Sequence, residues 1–478
     1  LDAHPSERAI LGNGKPATVS FSSELFRKTS YEGARKLVEH LEGQPFAANI
    51  MGYNPYIGRA GECYTAGVDV NFTPKREEIL LGDYSQAEVD AFRAWLKDKY
   101  RGNVEALREA WKDPKIVFDA ASYNNEILRK VDAPGFRDPT VTRLPMDYFE
   151  FHNQTMSRFA TGMGDVVKQA SNRRALYGVY MGYGLSLINQ TPGWSQFGGQ
   201  MQSYQVIRHP SIDFLGGTSD YGRRVLGTAY FSAGFTDSLR ENGKMWISEC
   251  DTRTYRTPYD PSGAFPLTIG GSLQILKRDF AVHLCKGDAF WWRDMSHGKT
   301  GRWSMPWYTD DAILDFQRRA VEVAREEING RRDAAAEIAV FVDEDTCFYQ
   351  DIYAGTLYNN LLWRMLGDEI HRCGAPYRLY YFDDIENDAI WKRSKLLVMV
   401  NPFYLSEARR DFLQKKLKGS GKTVLWFYAP GYVSGATGLQ AANISKLTGI
   451  QVQADPKGAV LGLKLSPAGL RSLGESAQ

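Results

Sequence analysis

Ala34, Leu37, Val38 and Leu41 fall at i, i+3, i+4 and i+7, which places four apolar side chains on one face of a helix. Val89, Phe92 and Leu96 mark a second helical face, and Ser85 with Glu88 has the spacing of a capping box that opens it. Phe159, Met163, Val166 and Val167 mark a third. A further stripe, Ile313, Phe316, Ala320, Val323 and Ala324, ends near Gly330, the expected C-terminal cap. Between these helices lie strand-like runs at 175–183 (ALYGVYMGY), 211–217 (SIDFLGG), 245–248 (MWIS) and 288–293 (DAFWWR). This alternation predicts a βα-repeating protein.

A charged stretch, NGRRDAAAE at 329–337, precedes a second series. IAVFV (338–342), YRLYYF (377–382), LLVMV (396–400) and TVLWFY (423–428) alternate with helical stretches near 357–373 and 406–418. Near-continuous apolar strands between helices predict a parallel sheet covered on both faces. We place a boundary near residue 333, giving units 1–332 and 333–478. No internal repeat is present.

Composition narrows the function classes. Lys and Arg number 58 against 56 Asp and Glu, so the net charge of +2 gives no reason to expect a nucleic-acid or membrane-surface partner. No apolar run approaches the ~20 residues of a membrane span. Five scattered cysteines do not form a disulfide framework. The seven histidines show no metal-ligand spacing, so no metal is expected, and nothing calls for an organic cofactor. Aromatic residues reach 13%, which suits either a sugar-binding cleft or a large aromatic core. The segment GSGKT (419–423) is similar to the end of a phosphate-binding loop, but Lys416 stands where that loop needs glycine and the segment precedes a strand. It reads as a polar turn.

Two carboxylates sit where a barrel would use them. Glu62 ends an apolar run closing in small residues, NIMGYNPYIGRAGE, and Glu249 follows the strand in GKMWISEC. In a (β/α)8 barrel the C-terminal ends of the strands form the active site, and glycoside hydrolysis needs two such carboxyl groups. Trp291, Trp292, Trp303 and Trp307 could stack on a pyranose ring, or could be core. His297 could hold a sugar hydroxyl, or could be a solvent-exposed loop histidine. Tyr180, Tyr183 and Asp220 follow strands and are further candidates. Cys63 and Cys250 directly follow the two glutamates and read as small packing residues.

Several segments together resemble glycoside hydrolase family 42, the clan A β-galactosidases. They are GKPATVSFSSELFRKTSYEGARKLVEHL (14–41), AFRAWLKDKYRGNVEALREAW (91–111), LPMDYFEFHNQTMSRF (144–159), GKMWISE (243–249) and AFWWRDMSHG (289–298). The resemblance implies a TIM-type barrel with Glu62 as acid/base and Glu249 as nucleophile. Beside these, Tyr183, Trp292, His297, Trp303 and Trp307 are the candidate substrate contacts read from the residues themselves. The resemblance extends over 338–435, which is similar to that family's flavodoxin-like trimerisation domain and implies a homo-oligomer, a trimer. By the same resemblance Leu1 corresponds to a point just before the family's fourth strand. About three βα units of the barrel are then absent, and an incomplete barrel is expected. The sequence also departs from the family. Gly61 stands where clan A enzymes usually place Asn, the cysteine cluster is reduced to Cys63, and CDTRTYRTP (250–258) is not the family's segment.

The expected activity is a retaining, β-galactosidase-like glycoside hydrolase acting on carbohydrate without metal or cofactor. Two alternatives stay open: the same chemistry on a different β-glycoside, and a catalytically degenerate carbohydrate-binding barrel.

Overall fold

The structure, a computed structural model, describes residues 4–65, 79–185, 194–257, 266–296, 305–330, 335–352 and 365–454. A short antiparallel hairpin, β1 (Arg8–Ile10) and β2 (Pro16–Val19), leads into helix α1 (Glu24–Glu42). Ser23 caps α1 by accepting from the Phe26 backbone N–H at 2.9 Å. Strand β3 (Gly52–Tyr53) follows. Helices α2 (Gln86–Lys99) and α3 (Val104–Trp111) begin at Ser85 and Asn103 caps. Ser85 accepts from the Glu88 N–H as the sequence predicts, but the Glu88 carboxylate does not close the box. It is buried instead against His152, whose Nδ1 lies 2.7 Å away.

The 27-residue helix α4 (Leu144–Ala170) is the central pillar. Its apolar face presents Phe159 to Phe21 and Phe26 of the preceding segment, with ring centroids 5.1 and 5.5 Å apart. Four more strands follow: β4 (Leu176–Tyr180), β5 (Phe214–Thr218), β6 (Met245–Cys250) and β7 (Ala289–Trp292). They pair in parallel in the order β3-β4-β5-β6-β7, the arrangement of successive strands in a βα barrel. Among the described residues β3 and β7 are the two edges, so the sheet is an open half-barrel, as expected for an incomplete one.

Alternation along the strands sorts side chains between the two faces. Tyr177, Val179, Leu215 and Trp246 are fully buried on the outer face, in one apolar cluster with α4. Helices α5 (Ile269–Lys286) and α6 (Asp311–Glu327) cover the outer face of β6 and β7, packing Leu276 and Ile313 against Cys250. Helix α6 stops at Glu327 with Ile328 at its cap, so Gly330 is not the capping residue.

The second sheet has strands β8 (Ile338–Val342), β9 (Tyr377–Tyr381), β10 (Leu396–Met399) and β11 (Thr423–Trp426) in the order β11-β10-β8-β9, all parallel. Helix α7 (Glu407–Leu417) crosses between its last two strands. GSGKT is the polar turn after α7, with Gly419 and Gly421 both at φ 68°. One face of this sheet, including Ala339, Phe341 and Leu397, packs under Trp391 and Leu413. The opposite face, Val340, Val342, Leu379, Tyr381 and Val398, belongs to the same apolar cluster as the half-barrel. The two sheets thus share one core. At their seam the Phe235 and Tyr381 rings pack at a tilt with centroids 3.9 Å apart, and the Tyr381 N–H donates to Ser238 Oγ at 2.8 Å.

Candidate active site

Glu62 does not close a strand. Strand β3 ends at Tyr53, and Pro55, which has no N–H to give a ladder, begins a tightly curled loop. Within it Cys63 N–H returns to Ile57 O at 2.8 Å and Arg59 N–H to Tyr64 O at 3.2 Å. This curl requires left-handed backbone at Ala60 (φ 55°), Gly61 (φ 80°) and Cys63 (φ 55°). A Cβ on Gly61 would lie 2.7 Å from the Tyr56 ring, so the asparagine usual before the acid/base of clan A enzymes has no room here.

The loop is held in place from below. Gln200, fully buried, donates through Nε2 to the Glu62 carbonyl. Its Oε1 accepts from the Gly182 and Tyr183 backbone N–H groups at 3.0 and 3.1 Å. Tyr183 OH then donates to Glu62 Oε1 at 3.2 Å. Burial pushes the Glu62 carboxyl up to about 7; the Tyr183 hydroxyl opposes this, and the negative charges of Glu249 and Asp251 reinforce it.

Glu249 stands on β6 in register with Thr218 of β5 and Trp291 of β7. Arg293, two residues beyond Trp291 and on the same strand face, donates through Nη1 to Glu249 Oε1 at 2.8 Å. Burial raises the Glu249 carboxyl, with Asp251 adding to it; Arg293 and a hydrogen bond from Tyr180 pull it back. Trp291 Nε1 donates to Tyr180 OH at 3.1 Å. Asp251 is itself held by Arg224 Nη1 at 2.7 Å and by Tyr221 OH at 2.8 Å.

Both glutamates line one cavity of about 380 Å³, whose walls include Asn54, Tyr56, Tyr180, Trp291 and Arg293. Two carboxyl groups share this space in different settings: one buried beside a tyrosine hydroxyl, the other ion-paired to a guanidinium. Such a pair can divide the roles of proton donor and anionic nucleophile.

The other candidate residues fall differently. Tyr183 meets the site through the Glu62 carboxyl and not as a cavity wall. Trp292 faces the helices, packing edge-on against Phe290 and Phe316, because neighbours on a strand point to opposite faces; Trp291 takes the place expected of it. Trp307 is fully buried in the cluster of Cys250, Leu276 and Ile313, a core residue and not a sugar platform. His297 and Trp303 lie outside the described residues. Asp220 caps the turn at Tyr221–Arg223, accepting from Gly222 N–H at 2.8 Å. Burial raises the Cys63 and Cys250 thiols, which suits packing and not nucleophilic chemistry. No group of three His, Cys, Asp or Glu able to hold a metal occurs among the described residues.

Arg293, Gln200 and Asp251 were not singled out in the sequence. Strand parity could have found Arg293, since it repeats the face of Trp291. Gln200 and Asp251 carry no local signal.

Comparison with known proteins bears on the fold and the family. The chain aligns at 17% identity and a TM-score of 0.62 with the β-galactosidase of the psychrophilic Marinomonas ef1, covering 94% of this chain and 67% of that one. It aligns at 16% identity and a TM-score of 0.63 with the β-galactosidase of the Antarctic haloarchaeon Halorubrum lacusprofundi, covering 92% and 62%. With a catalytic mutant of Gan42B, a GH42 β-galactosidase from G. stearothermophilus, the values are 13% identity, a TM-score of 0.61, and 92% and 61% coverage. The chain therefore spans about two thirds or less of the length of these proteins, and at such identities the likeness is one of fold: a TIM-type barrel. A sequence search of curated proteins returns no significant match. The family model for the family 42 glycoside hydrolases, described as β-galactosidase, matches residues 3–254, more than half of the sequence, and the chain belongs to that family.

Proposed function

We propose that this protein is a retaining β-glycoside hydrolase, β-galactosidase-like in its reaction. The observation that carries the reading is the pairing of a carboxyl raised to about 7 with an arginine-paired carboxylate in one cavity. Glu62 donates its proton to the departing glycosidic oxygen while Glu249 attacks the anomeric carbon, giving a covalent glycosyl-enzyme. Glu62, now ionised, takes a proton from water, which displaces Glu249 and releases the sugar with retention. Trp291 and Tyr56 offer flat faces to the pyranose ring.

We assign 1–332 to the catalytic barrel and 333–478 to a flavodoxin-like unit of the trimerisation type. The strand order β9-β8-β10-β11 supports this second assignment, being that of a doubly wound sheet. Self-association as a trimer follows from the family and is read by light scattering at micromolar concentration; a monomeric mass would overturn it.

A panel of chromogenic aryl β-glycosides tests the activity. Turnover of one or more members is expected, lost in Glu249→Gln. Glu62→Ala should retain turnover only where the leaving group is good enough to need no proton. The alternative of a degenerate carbohydrate-binding barrel is favoured by one observation, the displacement of Glu62 from the end of β3. Sugar binding with no turnover of any member would establish it.

A further inference from the structure

A second cavity, about 450 Å³, lies at the seam between the half-barrel and the second sheet and shares no wall with the candidate active site. Its volume falls in the range of small-molecule sites. Ser248 and Glu249 are consecutive on β6 and point to opposite faces. Glu249 faces the active site, whereas Ser248 Oγ lies 3.2 Å from Tyr230 OH, which lines the second cavity.

The lining is aromatic on one side. The Phe231, His371 and Tyr377 rings form a continuous surface, with His371 6.4 Å from Phe231 and 5.5 Å from Tyr377, centroid to centroid. The polar lining mixes hydroxyls, imidazoles and two cations, each paired with a carboxylate. Lys286 donates to Thr236 Oγ1 at 2.9 Å and Asp237 Oδ2 at 3.1 Å, which leaves one of its three ammonium hydrogens. Arg278 adds a second positive charge, held by Thr228 O at 2.8 Å and Asp279 Oδ1 at 2.7 Å. The one carboxylate in the wall, Asp288, is turned to His283 Nδ1 at 3.2 Å. Burial, with the charges of Lys286 and Arg223, lowers His371 to about 4, so this imidazole stays neutral beside Tyr377 OH, which lies 3.2 Å from its ring nitrogens. The remaining lysine hydrogen, set beside apolar rings, matches a flat body carrying a single negative charge.

We propose that this seam cavity binds a small aromatic carboxylate, its ring against Phe231 and Tyr377 and its carboxylate toward Lys286. The proposal does not depend on the glycosidase reading, since no residue is shared between the cavities.

Titration calorimetry on the full chain with benzoate, benzyl alcohol and benzylamine tests it. Benzoate should bind, with the neutral and cationic analogues weaker by ~10-fold or more. Val282→Trp, which fills the cavity from α5, should abolish benzoate binding while the melting transition persists. Lys286→Gln should remove the preference for benzoate over benzyl alcohol, and this decides the matter if the tryptophan variant does not fold. Absence of benzoate binding at millimolar concentration, equal binding of benzylamine, or binding untouched by either variant would overturn the proposal.

Discussion

Arg293 donates to Glu249 Oε1 at 2.8 Å, so the cation that opposes the effect of burial on this carboxyl comes from the far edge of the sheet. Among the described residues Arg293 is the cation in direct contact with the Glu249 carboxyl.

Replacing Arg293 by Met should therefore raise the Glu249 carboxyl. The acid limb of kcat/KM should move up, with the loss of activity on the acid side. An unmoved acid limb in a pH–rate profile would show that Arg293 does not set the ionisation of Glu249.

Gln200 ties the Glu62 carbonyl to the Tyr183 backbone, and Tyr183 OH reaches the Glu62 carboxyl. Gln200→Leu leaves buried amide and carbonyl groups without partners, at about 1–3 kcal/mol each, measurable by urea denaturation. It should also lower kcat more than it raises KM, because Glu62 loses its placement while the Trp291 wall stays intact. Gln200→Glu keeps the acceptor for Gly182 and Tyr183 but loses the donor to Glu62. A retained kcat in Gln200→Glu would show that the bond to the Glu62 carbonyl does not position the acid/base.

The central strands are legible because they are largely buried on both faces and read as apolar runs: 245–248 lies within Met245–Cys250, and 338–342 is Ile338–Val342. Such runs do not say which face meets what. The shared core, with Val340 and Trp246 in one cluster, was therefore not foreseen from a boundary near 333. The sequence sets Glu62 at the end of a strand, whereas the structure sets it in a loop. Its loop depends on left-handed backbone at Ala60 and Cys63, residue types that give no turn signal.

The raised carboxyl of Glu62 has a stability consequence of defined sign. Its value rises from the ordinary 4.5 in the unfolded chain to about 7 when folded, so between these values the folded state holds the proton more tightly. Stability contributed by the protonated group is complete below pH 4.5 and is lost as pH rises through about 7. A shift of this size corresponds to on the order of 3 kcal/mol. Glu62→Gln cannot ionise and should match the parent at pH 4.5 while exceeding it at pH 8. Parallel Tm–pH curves for the two proteins would contradict the assignment. In the same window turnover should fall on the alkaline side, since the acid must be protonated to serve the leaving group.

Trp291 and Trp292 are adjacent in sequence and should fail in different ways. Trp291 is 42% exposed and walls the active-site cavity, so Trp291→Ala should raise KM with a change in folding stability of no more than about 0.5 kcal/mol beyond its lost contacts to Tyr180. Trp292 packs against Phe290, Phe316 and Phe280 between β7 and the helices α5 and α6, and its truncation leaves a void there. Trp292→Ala should therefore cost about 3–5 kcal/mol in denaturant unfolding, with KM close to the parent's at temperatures where the variant is folded. The same two measurements on both variants, KM and unfolding free energy, give four values. A crossed pattern, with Trp292→Ala impairing binding and Trp291→Ala impairing stability, would reverse the facing of β7 and remove Arg293 from the face of Glu249 as well, since Trp291 and Arg293 share strand parity.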